Sequence, residues 1–114
     1  MGTYTPNYFR KGLLLLIILC LLKDEDMYGY QLVKAIAERS GGVITTQEGA
    51  LYPILYSLSS AGYLTDKSVK VHVRQVRVYY HLEPEGKAYL EQLLHEYYQV
   101  DDAMKNIISG GTKK

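Results

Sequence analysis

Between Thr45 and Gly62 the chain spells out one short helix with a polar leading end and an apolar flank, and this stretch constrains the fold most. Thr45 and Glu48 have the spacing of a capping box, in which the hydroxyl takes a free amide of the first turn and the carboxylate reaches back to the cap amide. Leu51, Ile54, Leu55 and Leu58 follow at three- and four-residue steps on one face. Gly62 supplies the left-handed residue that commonly follows a last turn. The other face keeps Thr46, Gln47, Tyr52, Tyr56, Ser57 and Ser59. Pro53 withholds an amide inside the helix and should bend its axis or tighten the turn.

A helix is also predicted before it, from about Tyr28 to Arg39, with Leu32, Val33, Ile36 and Ala37 inward and Ser40-Gly41-Gly42 as its end. The two helices and the turn Gly41 to Thr45 form a helix-turn-helix. Lys23 to Met27 is a polar break. The apolar run Leu13 to Leu22 after Arg10-Lys11 imitates the basic and hydrophobic parts of a secretory signal. It is too short to cross a bilayer as a helix, no small-x-small cleavage site follows, and Lys23-Asp24-Glu25-Asp26 comes instead. The expectation is therefore a first helix from about Phe9 to Leu22, buried nearly all round, in a cytoplasmic protein with no membrane partner. Residues 1 to 11 read as an arm in which Gly2, Pro6 and Asn7 break any pattern. Tyr4, Tyr8, Phe9, Arg10 and Lys11 either pack loosely there or approach a partner subunit or DNA.

From Leu64 the period changes from helical to alternating. Val69, Val71 and Val73 face one way, while Lys70, His72 and Arg74 face the other. Val76, Val78 and Tyr80 alternate one residue out of phase, so a reversal or bulge is expected near Arg74-Gln75, hence a hairpin. A hairpin in this position is a wing. Lys67, Lys70, Arg74 and Arg77 lie in eleven residues that contain no acid. Such a patch outweighs the formal net charge of +1, because counterion release depends on the charges that face phosphate. Basic residues outnumber acidic ones nine to six in residues 1 to 82, whereas residues 83 to 114 carry four and six.

Pro84 suits the first position of a last helix, with Glu85 favourable in its first turn. Leu90, Leu93, Tyr97, Val100, Met104 and Ile107 then step alternately by three and four, which is a heptad seam. It covers either the chain's own first helix or a second copy, and a helix of about 24 residues reaches beyond a small domain. The 114 residues suit one domain of mostly α class with a small β hairpin. Its parts are an arm (1–11), a winged helix-turn-helix (12–82), a dimerisation helix (83–109) and a flexible tail (110–114).

Gly49-Ala50-Leu51-Tyr52-Pro53-Ile54-Leu55, preceded by Tyr28-Gly29-Tyr30-Gln31-Leu32 and followed by Tyr79-Tyr80-His81-Leu82, resembles the PadR family of bacterial transcriptional regulators from about Gly12 onward. The likeness is greater to its short members, a winged helix-turn-helix followed by one dimerisation helix. Those members are repressors, some released by small molecules. The resemblance implies that the Tyr52 hydroxyl approaches a phosphate and that Tyr30 touches the DNA backbone, with Gly29 allowing helices to pack closely. Tyr97 matches an aromatic position that stacks on flat drugs in multidrug-responsive relatives, and plain interface packing accounts for it equally. Val100, Asp101 and Met104, with Leu16 and Cys20 on the first helix, are further lining candidates for such an effector. The chain departs from the family at Arg74-Gln75-Val76, where a glycine and Gly-Arg-Pro are common. Arg77 keeps the basic position two before Tyr79.

In a winged helix the third helix enters the major groove, whose base edges short polar side chains can read. Thr45, Thr46 and Gln47 are the first-choice DNA contacts, with capping alone as the blander role. Lys67, Lys70, Arg74 and Arg77 would supply phosphate contacts from the wing, an ordinary solvated strand being the alternative. No enzyme signature is found. His72, His81 and His95 lack cysteine or carboxylate partners at metal-ligand spacing, and no glycine-rich phosphate loop or nucleophile elbow occurs. No catalytic residue, metal or cofactor is expected. Cys20 alone cannot form an intramolecular disulfide and reads as a small buried hydrophobe. Twelve tyrosines suit either interfaces or an aromatic ligand. The function expected is a homodimeric repressor on an inverted-repeat duplex operator, released by a small hydrophobic or aromatic effector. Its competitor is a winged-helix module that contacts only protein, favoured by the near-zero net charge and the missing wing glycine.

Overall fold

The computed structural model describes the backbone of residues 4–110 and the side chains of residues 12–110. Its elements run α1 (Tyr4–Asp24), β1 (Met27–Tyr28), α2 (Gly29–Arg39), α3 (Glu48–Ser60), β2 (Leu64–His72), β3 (Gln75–Leu82) and α4 (Pro84–Ile108). The strands form one antiparallel sheet in the order β1-β3-β2. This is a winged helix-turn-helix carrying a long last helix.

α1 starts well before the boundary read from the sequence, because Pro6 falls in the first turn, where an amide has no intrahelical partner to lose. The first three residues of the expected arm, the contacts proposed for its side chains, and tail residues 111–114 lie outside what is described. Leu14, Ile18, Leu19, Leu21 and Leu22 bury one face of α1. The opposite stripe, which includes Leu16 and Cys20, is only half-covered, contrary to the expectation of burial nearly all round. α2, α3, α4 and β3 pack against α1.

Leu32 and Ile36 of α2 and Leu51, Leu55 and Leu58 of α3 meet that face, and Leu64, Leu82 and Leu90 close the core beneath the sheet. α2 and α3 end in the same way. Gly42 N–H bonds the Ala37 carbonyl at 2.8 Å and Gly41 N–H that of Glu38 at 3.2 Å. After α3, Tyr63 N–H bonds the Leu58 carbonyl and Gly62 N–H that of Ser59, each at 3.0 Å. Both are Schellman closures, which need a left-handed residue just past the helix, and Gly41 (φ 63°) and Gly62 (φ 86°) provide it.

The start of α3 corrects the capping box. The backbone turns helical at Glu48, later than a cap at Thr45 requires, and Gln47 is the cap residue in extended conformation (φ −119°, ψ 159°). Glu48 spends its carboxylate elsewhere. Tyr28 likewise is not helical: it sits in β1, paired with Tyr79, while its amide donates to Gln31 Oε1 at 3.3 Å. A strand of two residues has no periodicity to read, so β1 exists only because β3 offers it an edge.

The wing reverses at Val73-Arg74, between the paired residues His72 and Gln75, with a register irregularity between Lys70 and His72. Among the described residues none other than glycine has positive φ, so the loop is neither of the mirror-image turns that match strand twist. The extra residue at Val71 takes up the mismatch. The phase slip read from the sequence thus has two sources.

α4 begins with Pro84 in its first turn and packs through Gly86 and Leu90. Glu83 N–H bonds the Tyr63 carbonyl at 3.0 Å, and the Tyr63 and Tyr89 rings stack at 4.4 Å. Beyond Leu94 the helix leaves its own domain, giving a molecule 65 × 36 × 20 Å across. No helix among the described residues is long and apolar enough to cross a membrane.

Candidate nucleic-acid interface

The turn that presents α3 is knotted by one side chain. Ser40 Oγ accepts the Ile44 N–H at 2.9 Å and donates back toward the Ile44 and Ala37 carbonyls. The sequence reading used Ser40 only as a helix end. Beyond this turn Thr45 and Gln47 are exposed and Thr46 half-exposed, around a shallow depression of about 490 Å³ that Gly49 and Ala50 complete. Among its lining residues Gly49 and Ala50 are small, which leaves room for a flat base edge to approach the backbone.

Beside it the starts of α2 and α3 nearly touch. An added Cβ on Gly29 would stand 2.8 Å from Tyr52 Oη and 3.1 Å from Glu48 Oε2, so a larger residue here would push these two side-chain ends aside. The Tyr52 hydroxyl donates to Glu48 Oε2 at 3.3 Å. Burial, then the Glu48 charge and this hydrogen bond, push the Tyr52 phenol above its ordinary pKa. Tyr80 is raised as well, by burial first and then by Tyr52 and Asp66. Both phenols therefore remain O–H donors at neutral pH. Tyr30 is 54 % exposed, with the Lys34 ammonium 5.9 Å above its ring.

The wing's cations do not share one face. Directly paired residues of an antiparallel ladder point to the same side, so the pairs Lys67 with Tyr79 and Val69 with Arg77 lie together, and Lys70 with Val76 lies opposite. Arg77 is further held by the Tyr28 ring, 4.4 Å from the guanidinium carbon, while Tyr79 meets Tyr28 edge-on at 5.3 Å. Lys67, Lys70 and Arg74 are exposed, Arg74 at the tip. Arg77, Tyr28, Tyr30, Glu48, Tyr52 and Tyr80 line one cleft of about 400 Å³ between wing and helices. Glu48 and Tyr28 were absent from the sequence's list of site residues. The helical i to i+4 spacing of Glu48 and Tyr52 was the available signal. Among the described residues no cluster of histidine, cysteine or carboxylate could hold a metal.

The candidates for dimerisation and effector binding divide. Leu90 is buried in the chain's own core and Leu93 packs against it, whereas Tyr97, Val100, Met104 and Ile107 are 41–69 % exposed. Asp101 pairs with Lys105 one turn on, at 3.1 Å. Cys20 lies on the half-covered stripe of α1, its thiol pushed up by burial against the opposing pull of Lys23. None of these side chains lines the clefts described above.

A model of the transcriptional regulator PadR-like family matches residues 18–92. The chain is 29 % identical over 104 residues to the transcriptional regulator YqjI of Escherichia coli, covering 91 % of this chain and 48 % of that protein. It thus spans about half the length of that curated relative. A PadR family regulator from Eggerthella lenta superposes with a TM-score of 0.79 at 28 % identity, over 89 % of this chain and 86 % of that one. Bacillus subtilis PadR in complex with operator DNA superposes with a TM-score of 0.67 at 26 % identity, over 72 % and 47 %. With the family model spanning most of the chain and the same helices and wing in these relatives, the protein belongs to the PadR-like family of transcriptional regulators.

Proposed function

We propose that this protein is a homodimeric repressor that sets the leading end of α3 into the major groove of an inverted-repeat operator. Thr45, Thr46 and Gln47 face the base edges, and Tyr30, Tyr52, Lys67, Lys70, Arg74 and Arg77 face the phosphates. One observation carries the reading: the seam of α4 is apolar to its end but is covered by the chain's own core only through Leu90 and Leu93. Tyr97, Val100, Met104 and Ile107 continue the same spacing while 41–69 % exposed among the described residues, as a second copy requires. Two copies joined there carry two recognition helices, which fits two half-sites related by a two-fold axis.

A small flat, apolar or aromatic molecule between the paired α4 helices and the half-covered stripe of α1 is the effector of this reading, with Tyr97 stacking on it. Val100, Asp101, Met104, Leu16 and Cys20 complete the lining. Release follows only if the ligand binds the non-operator spacing of the helices more tightly than the operator spacing, because equal affinity shifts nothing.

The test is fluorescence anisotropy with the duplex upstream of the protein's own gene and a scrambled duplex, at several salt concentrations. Tight binding to the first alone, weakening steeply with salt, is the expected result. Equal, weak binding to both at every salt would replace this reading with a module that contacts only protein.

A further inference from the structure

The DNA-binding reading above leaves one polar side chain at the heart of its own surface without a role. Glu48, the first residue of α3, is half-buried and is the lone carboxylate among the residues lining the cleft of Tyr28, Tyr30, Tyr52, Arg77 and Tyr80. A carboxylate there repels the phosphates that Arg77 and Tyr52 would attract, so its presence has a cost on any duplex. It also holds the single proton of the Tyr52 hydroxyl, at 3.3 Å. A phosphate oxygen can accept that hydrogen bond only if Glu48 gives it up. The freed carboxylate, an acceptor with no proton to offer, must then find another donor or stand unpaired against the DNA. In the major groove the N4 amine of cytosine is such a donor, and the first residues of a recognition helix are those that reach base edges.

We propose that Glu48 is a specificity-determining residue that reads a cytosine. The inference rests on the DNA-binding reading. On the operator, the Tyr52 hydroxyl turns from Glu48 to a phosphate while Glu48 accepts the N4–H of a cytosine, so one hydrogen bond is exchanged for two. On other sequences the released carboxylate meets no donor and repels the backbone. Discrimination then comes from a cost on wrong sequences as much as from a gain on the right one.

The experiment is selection from a randomised duplex library by the purified full chain, run in parallel with Glu48→Ala and Glu48→Gln. The wild type should enrich half-sites with cytosine at one position. Glu48→Ala should lose the preference there alone, and should bind a scrambled duplex about threefold more tightly, the size of one like charge removed at ~6 Å in water. Glu48→Gln is nearly isosteric and can keep the Tyr52 bond and the fold. It should move the preference to adenine, which an amide pairs at N6 and N7. The same preferred base in wild type and Glu48→Gln would overturn the proposal while leaving a DNA-binding protein. A wild type that enriches no sequence would overturn both readings.

Discussion

Arg77 is more than a basic residue on a strand, because its guanidinium carbon lies 4.4 Å from the centre of the Tyr28 ring, which helps to hold the charge in place. Arg77→Ala should weaken binding to any duplex and lower the slope of log affinity against log salt by about one, read by anisotropy titrations at several salt concentrations. Arg77→Lys keeps the charge but loses the planar stacking, so only part of the affinity should return. Ser59 makes a different case. Its Oγ is buried and finds no hydrogen-bond partner among the described residues. Ser59→Ala removes an unsatisfied group without opening much space, so chemical denaturation should show a gain of about 0.5–1 kcal/mol. The sequence marked Arg77 by its spacing to Tyr79 but not its stacking. Contacts between residues far apart in the chain follow from packing, which residue spacing does not encode.

At the level of elements, the joints carry the constraints. An added Cβ on Gly86 would overlap the Tyr63 carbonyl oxygen, a backbone atom that cannot swing aside. Gly86→Ala must therefore lift the first turn of α4 off the base of the wing. A loss of about 3 kcal/mol is expected, with a fall in Tm of ~10 °C or more in a thermal melt. The sequence reading placed Pro84 at the start of the last helix correctly, since the residues that open a helix are a local signal. It gave Gly86 no role, because a close approach between α4 and the start of β2 is a tertiary fact. The capping box failed for a related reason. Thr45 and Glu48 have the right spacing, but Gly29 admits the Tyr52 and Glu48 side chains beside α2, where Tyr52 donates its hydroxyl to Glu48.

For the whole molecule, the question is what covers the distal half of α4. A single chain leaves four seam residues 41–69 % open to water on a helix that projects from the domain. Val100→Glu changes a residue 61 % exposed in one chain, outside the chain's own buried core, but places a charge in the centre of a paired seam. Analytical ultracentrifugation should find monomers, circular dichroism an unchanged helix content, and anisotropy a loss of operator affinity of about a hundredfold or more, since one half-site is then bound alone. A variant that stays dimeric and binds as before would remove α4 from the interface.

The order of helices and wing, the proline that opens α4, the glycine stops after α2 and α3, and the core leucines are all legible in the residues alone. Each of these depends on a few neighbouring residues whose conformational preferences and polarity act locally. Packing between elements, by contrast, makes Tyr28 a strand residue, divides the wing's cations between two faces, buries Leu90 while leaving Ile107 exposed, and sets Glu48 against Tyr52. Those outcomes depend on which surfaces meet, and the free energy of such contacts belongs to pairs of elements rather than to either one.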